Sequence, residues 1–324
     1  MTANALPSRN ALFSRNALLS RNALRAALPA VTLLLLLGTI FWIQPRAMTP
    51  FGINLMLNLA VPIVLATMAQ LFVMTVNDLD LSIGGFVGLS ACIGATWLNQ
   101  TPLLGVAALA ACILAYAGLG ALIHLRRLPS IVVTLGMSFV WLGLAVILLP
   151  TPGGAAPGWL KSLMAFKPPY LPFPILASIV IALLVHVGLM RTSYGAILRG
   201  FGGNPQAMRR SGWSSLRATM TMYALAGLFG VLSGLALLGI STSADANIAL
   251  RYTLLSIAGA ILGGCEFTGG RVSPVGAVLG ALTLALAGSA LTFLRISPDW
   301  QVGAQGAILI AVLALRAFVV RKED

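Results

Sequence analysis

Seven carboxylates, two histidines and three cysteines are all that 324 residues offer for acid–base, metal or thiol chemistry. They do not gather. Cys92, Cys112 and Cys265 are widely spaced, inside apolar runs or beside glycine, with neither metal-ligand spacing nor a disulfide framework. Small apolar filling is the role that fits them. His124 and His186 stand alone at or near expected helix ends. No Ser/His/Asp set and no paired carboxylates emerge. The nearest approach to a phosphate loop, Gly264 to Gly270, lacks the lysine that reaches the phosphates and predicts a tight turn instead. The chain is therefore not expected to be an enzyme, to hold a metal or to carry a cofactor of its own.

The elements that position these residues are membrane spans. The sequence is 59% hydrophobic and 8% charged, against about 25% charged in a soluble protein, and its mean hydropathy is +0.97. Only a chain solvated by lipid can dispense with so many charges. The formal charge of +13 does not indicate nucleic-acid binding, because the arginines sit in short loops between apolar runs and form no basic domain. A crossing needs roughly 20 apolar residues. The candidates are 24–43, 53–76, 80–98, 103–124, 130–150, 173–190, 218–240, 253–264, 273–294 and 299–320, about ten in all. The eighth is short and Gly-rich, and is expected to be tilted, broken or partly covered by protein.

With the N-terminus inside, fifteen of the 20 Lys and Arg fall in inner segments. This bias favours that topology over its inverse and places both termini in the cytoplasm. The expected organisation is a repetitive cytoplasmic tail at 1–23, a transmembrane body at 24–320 and a short cytoplasmic tail at 321–324. The tail repeats Ser-Arg-Asn-Ala-Leu from Ser8, Ser14 and Ser20. Six residues advance a helix by about 600°, so its leucines do not line one face. Positive charge ahead of an apolar run resembles a signal peptide, but no small-residue cleavage site follows Trp42, and a retained first span is expected. The outer loop 151–172 is too rich in proline to be helical throughout. Glycines such as Gly84, Gly88, Gly230, Gly276 and Gly280 predict close helix packing.

The inner segment 191–217 holds Arg191, Arg199, Arg209, Arg210 and Arg217 and no carboxylate. Positive, punctuated by Gly and Pro and able to form short helices, it reads as a cytoplasmic docking surface. Within the spans, Asn54, Asn58, Gln70, Thr134, Ser138, Gln301 and Gln305 could hydrogen-bond a neutral polyhydroxyl solute, or one another across helices. The candidate translocation path comprises Asn58, Gln70, Asp80, Ser82, Thr134 and Gln305. A charge at the membrane centre costs roughly 2.5–3.5 kcal/mol or more, and ion-driven carriers normally show coupling carboxylates there. Here the acids fall at span ends or in loops: Asp78 and Asp80 between the second and third crossings, Asp245 and Asp299 outside, Glu266 in an inner turn, and Glu323 and Asp324 in the tail.

Four segments, in order, resemble the ribose-type permease family of bacterial ATP-binding-cassette importers. Asn77 to Gly84 (NDLDLSIG) is similar to G-G-I-D-L-S-V-G, and Pro129 to Gly136 (PSIVVTLG) to P-P-F-I-V-T-L-G. Gly202 to Gly212 (GGNPQAMRRSG) is similar to G-G-N-P-E-A-A-R-L-S-G, and Leu262 to Arg271 (LGGCEFTGGR) to L-G-G-T-S-L-x-G-G-R. The chain departs from the pattern where Asn77-Asp78 replaces a glycine pair, Cys265-Glu266 a small polar pair and Ser130 a proline. The resemblance implies an all-α membrane protein of about ten helices in the type II, cobalamin-importer-like architecture. It also implies a second permease subunit, ATPase subunits below that hold ATP and magnesium, and a periplasmic sugar-binding protein above, in the bacterial inner membrane. By the same resemblance Gly202, Gly203, Asn204, Pro205, Ala207, Arg209 and Gly212 couple to the ATPase. Gly202-Gly203 is expected to form a turn, and Asn204-Pro205 to start a helix by an N-cap and a proline at N1. The competing readings are an autonomous secondary carrier or facilitator and a membrane scaffold.

Overall fold

A computed structural model describes residues 29–169, 171–267 and 270–294, with positions 300, 303, 306, 307 and 310. The repetitive tail, most of the tenth expected crossing, Gln301, Gln305 and the 321–324 tail lie outside the described residues. Among those described, the regular structure is helical, with one isolated β-bridge between Gly153 and Ala244. The helices are α1 (Pro29–Ile43), α2 (Pro50–Met56), α3 (Ala60–Thr75), α4 (Ile83–Ala95), α5 (Trp97–Gln100), α6 (Pro102–Arg126), α7 (Ser130–Leu148), α8 (Gly158–Met164), α9 (Phe173–His186), α10 (Ser193–Gly203), α11 (Pro205–Arg210), α12 (Ser215–Ser241), α13 (Tyr252–Leu262) and α14 (Pro274–Phe293).

Five of them are long and apolar enough to cross a membrane: α6, α7, α9 with its terminal π turn, α12 and α14. The pair α2 and α3, bent by 44°, makes a sixth. The second expected crossing is thus kinked, and the third is cut at Thr96 between α4 and α5. The eighth, α13, has 11 residues, about 16 Å at 1.5 Å per residue, half of a ~30 Å hydrocarbon core.

All sixteen residues of α3 are buried. Around it pack α12, α13 and α14, and α12 also packs on α4 and α6. The outer shell is different in kind. Only 17% of α7's most apolar stretch is buried, against 61% of α14's, so α7 turns leucine, valine and phenylalanine side chains outward. A helix apolar on its outer side is what lipid solvation demands.

Glycines set the tightest approach, between α13 and α14. A Cβ on Gly276 would run into the carbonyl of Gly263, and one on Gly280 into the carbonyl of Gly259. Backbone meets backbone there, and neither can give. The Pro-rich loop after α7 holds, among the described residues, one short helix, α8, and is pinned through Ala155 N–H to Ala95 C=O (3.0 Å) and Ala156 N–H to Thr242 C=O (2.9 Å). Replacing Gly280 by leucine overfills the α13–α14 contact, with an expected cost of at least ~1–3 kcal/mol. The melting temperature of the detergent-purified chain should fall clearly, whereas Gly143→Leu, at a glycine with open space around it, should leave it unchanged.

Candidate functional site

Two segments leave helical geometry inside the bundle. The first, 76–82, follows α3. It does not turn straight into the next helix, and α4 begins only at Ile83. The depth of that start follows from its neighbours. The Phe86 ring lies 4.3 Å from Tyr116, midway along α6, and against the space over Gly230, midway along α12. So α4 is a half-helix whose N-terminus lies near the middle of the bundle. The second segment, 242–251, follows α12 at the opposite end and runs inward beside α4. The Ala246 carbonyl faces Gly88, and the Ala249 and Leu250 carbonyls face Gly84. The half-helix α13 then continues to the first end. The two starts are joined where Gly84 N–H donates to Thr253 Oγ1 (3.0 Å).

Backbone groups freed by the first break are met by side chains. Leu79 N–H donates to Ser130 Oγ (3.3 Å) and Leu81 N–H to Thr134 Oγ1 (3.0 Å). The Asp80 carboxylate accepts from Ser82 N–H (2.7 Å), Ser82 Oγ (2.7 Å) and Tyr116 OH (2.6 Å). With its amide nitrogen toward Asp80 C=O (3.0 Å), Gln70 also accepts from Asp80 N–H (3.2 Å).

Four of the six expected path residues, Gln70, Asp80, Ser82 and Thr134, therefore form one network. They are all buried, at 0%, 1%, 0% and 0% exposure. They face no surface a solute could reach in this protomer, because the broken backbone consumes their hydrogen-bonding capacity. Asn58 lies apart from them, exposed, in an outer cleft of about 150 Å³ with Asn54, Phe166, Lys167 and Phe173. Asp80 is also corrected in depth. Its sequence position suggests a span end, but the return of 76–82 seats it beside Tyr116 within the bundle.

At the arginine-bearing end the four motif segments meet. Asn77 Nδ2 donates to Gly202 C=O (2.7 Å), and Tyr223 OH donates to Asp78 Oδ2 (3.1 Å). Asn77 has φ 65°, a left-handed conformation in which asparagine is the side chain that best substitutes for glycine. Gly202 is buried, where a Cβ would strike Thr75 C=O and Gly270 Cα. His124 Nε2 and Ser215 Oγ pair at 3.0 Å, tying the end of α6 to the start of α12. Gly270 has a left-handed φ of 63°, and Glu266 N–H donates to Arg271 C=O (3.0 Å). The exposed Arg271–Glu266 ion pair at 3.7 Å adds little.

The expected Gly202-Gly203 turn is not there. Both glycines belong to α10, and the chain breaks at Asn204 alone (φ −147°, ψ 87°). Gly202 serves close approach, which is why a helix interior tolerates it. Asn204 caps α11 as expected, its side chain accepting from Ala207 N–H (3.0 Å), with Pro205 at N1. No residue of α11 is buried, and Gly203, Ala207, Arg209, Arg210, Gly212 and Trp213 all lie open. The 242–251 segment had no signal in composition beyond an outer-loop polarity, so its depth was not foreseen.

A family model described as "Branched-chain amino acid transport system / permease component" matches residues 52–313. The chain is 27% identical over 307 residues to the galactose/methyl galactoside import permease protein of Haemophilus influenzae, covering 87% of this chain and 91% of that protein. It is 28% identical over 297 residues to the ribose import permease protein of Bacillus subtilis, covering 88% and 91%. It is 30% identical over 259 residues to the autoinducer 2 import system permease protein of Salmonella paratyphi B, covering 78% and 74%. No solved structure matches.

Replacing Thr134 by valine keeps the shape but strands the Leu81 N–H. An uncompensated buried donor costs about 1–3 kcal/mol. The purified Thr134→Val chain should melt earlier by that amount, while Ser138→Ala, whose hydroxyl returns to its own helix at Leu135 C=O, should not.

Proposed function

Because the chain belongs to the family of branched-chain amino acid transport system permease components, we propose that it imports a monosaccharide or similar small polyhydroxyl solute handed over by a periplasmic binding protein. It is a transport subunit and not an enzyme. ATP is hydrolysed, with magnesium, in partner ATPase subunits, and the cargo passes through this chain in the inner membrane. Two of the relatives are named for the import of galactose or methyl galactoside and of ribose, and a third for the import of autoinducer 2; the two sugars support the substrate class.

The observation that carries the coupling is the placement of α11. It is exposed apart from the half-buried Met208, capped by Asn204, flanked by arginines, and held from both sides: α10 through Gly202 and α12 through Tyr223. A short helix without a buried face gains nothing from folding unless a partner receives it. Residues 191–217 are the docking loop in this reading, with Gly203 to Gly212 seated in the ATPase. Arg126, Arg127 and Arg271 lie at the same end, which supports a cytoplasmic face there. The further organisation we propose is a dimer of permeases with a type II arrangement, about ten crossings each across 24–320, and both termini cytoplasmic.

Vesicles holding this chain, its ATPase and its binding protein should take up D-galactose or D-ribose only with ATP, and vanadate should stop it. The chain alone should give no uptake, and uptake by it at the full rate would replace the importer reading with the autonomous carrier. Arg209→Glu should cut recovery of the ATPase on the purified permease roughly tenfold, since reversing a charge across an interface changes attraction into repulsion.

A further inference from the structure

The segment 242–251 combines three properties that lipid does not allow together. Its backbone is a run of turns, not a helix: Ile248 N–H donates to Asp245 C=O (3.2 Å), Leu250 N–H to Asn247 C=O (3.2 Å) and Tyr252 N–H to Ala249 C=O (2.8 Å). It lies deep, with Ala246 against Gly88 and Ala249 against Gly84 at the buried start of α4. And part of it is open: Asn247 and Arg251 are exposed on the protomer, while Ala246, Ala249 and Tyr252 turn inward. From Ala95, beside the outer end of the segment, to Gly84 is about 16 Å along α4 at 1.5 Å per residue. Arg251 precedes Thr253, the residue bonded to Gly84 N–H, so its backbone sits at that depth.

Irregular backbone at membrane depth persists only where protein or water covers it. An arginine there pairs or faces a water-filled cavity, and among the described residues no ion pair to Arg251 is present. Asp245, the nearest carboxylate in sequence, instead accepts from Asn247 N–H (2.6 Å). The outward face of this segment thus presents a strip of the Asn247 amide and the Arg251 guanidinium, with Leu250 exposed beside them, while its carbonyls are largely taken by the turns and by α4. The amide donates to and accepts from hydroxyl groups and the guanidinium donates to them, which suits a neutral polyol that must be released again.

We propose that the solute passage runs along this strip, with Asn247 and Arg251 as its solute-contacting side chains, and not along the buried Gln70–Asp80–Ser82–Thr134 network. The proposal rests on the importer reading for the class of solute, but water access to the strip does not. The outer cleft at Asn54 and Asn58 lies toward the end from which the binding protein would deliver. The strip leads inward from that end.

The test uses Asn247→Cys and Arg251→Cys in the assembled importer in vesicles, labelled with a membrane-impermeant maleimide. Val132→Cys on the outward face of α7 is the lipid reference, Ser162→Cys on α8 the aqueous one, and the unmutated chain gives the background of its own cysteines. A thiol reacts as thiolate and needs water, so the strip positions should label at near the Ser162 rate and roughly 100-fold faster than Val132. Labelling either position should then block ATP-dependent uptake of D-galactose or D-ribose at least roughly tenfold, as a bulky group in the passage must. Labelling as slow as at Val132 overturns the proposal, as does fast labelling that leaves uptake intact. Uptake by the unmutated chain without ATPase would remove the importer reading instead, and is told apart because it appears before any substitution is made.

Discussion

Backbone that leaves a helix inside a membrane protein must find a partner for every N–H and C=O, and this one demand organises the bundle. Between α3 and α4 the demand is met by Ser130 and Thr134 on α7, by Gln70 on α3 and by the Asp80 carboxylate, which takes the Ser82 N–H and is itself held by Tyr116 on α6. Asn77 and Asp78 N–H return to Met74 and Val73 on α3. Each group left unmet would cost about 1–3 kcal/mol, a large share of a marginal stability. The Asp80 carboxylate is the densest point. It has neutral donors and no cation among its contacts, so its place depends on geometry and not on ion pairing. Aromatic packing fixes that geometry, since the rings of Tyr116, Phe86 and Trp141 pack against one another, with centroids 4.3–6.0 Å apart.

The same demand explains why the inner helices are rich in glycine and the outer ones are not held so tightly. A broken segment can be covered only if neighbouring backbones come close, and Gly84, Gly88 and Gly230 allow this around the start of α4. Gly259, Gly263, Gly276 and Gly280 do the same where α13 meets α14. The outer helix α7 carries glycines, Gly136 and Gly143, with open space around them, and α9 carries none. Lipid solvates their outward leucines and valines as well as protein would.

Much of this was legible in the sequence, and the boundary of legibility is physical. Apolar run length gave α6, α7, α9, α12 and α14, because a long helix in lipid satisfies its own backbone. The Asn204 cap and Pro205 start of α11 were readable because capping is local. What failed was long-range. Gly202-Gly203 looked like a turn because paired glycines usually are, but the reason for Gly202 is Thr75 and Gly270, distant in sequence. Gln70, Asp80, Ser82 and Thr134 looked like path-lining groups because composition cannot tell a polar side chain offered to solute from one consumed by backbone. Asp245 and Arg251 looked like outer-loop residues because a charge reads as a membrane boundary, and nothing local says that 242–251 folds back beside α4.

The departures from the resembled glycine pair fit into this picture. A left-handed residue is required at position 77 (φ 65°), and glycine would supply it with no further bond. Asparagine supplies it and adds an amide that reaches Gly202 on α10, while the adjoining Asp78 reaches Tyr223 on α12. Two neighbouring residues thus fasten both arms of the 191–217 segment to the one stretch that α3, α6 and α7 also hold. The exposed α11 between those arms has only the half-buried Met208 as an anchor of its own. Its position relative to the membrane body is therefore set by its flanks, and a displacement of α11 reaches the interior through the same hydrogen bonds that satisfy the broken backbone. In the proposed importer, coupling and stability would share these atoms, the side chains of Asn77 and Asp78, at a point where the resembled pattern has bare backbone.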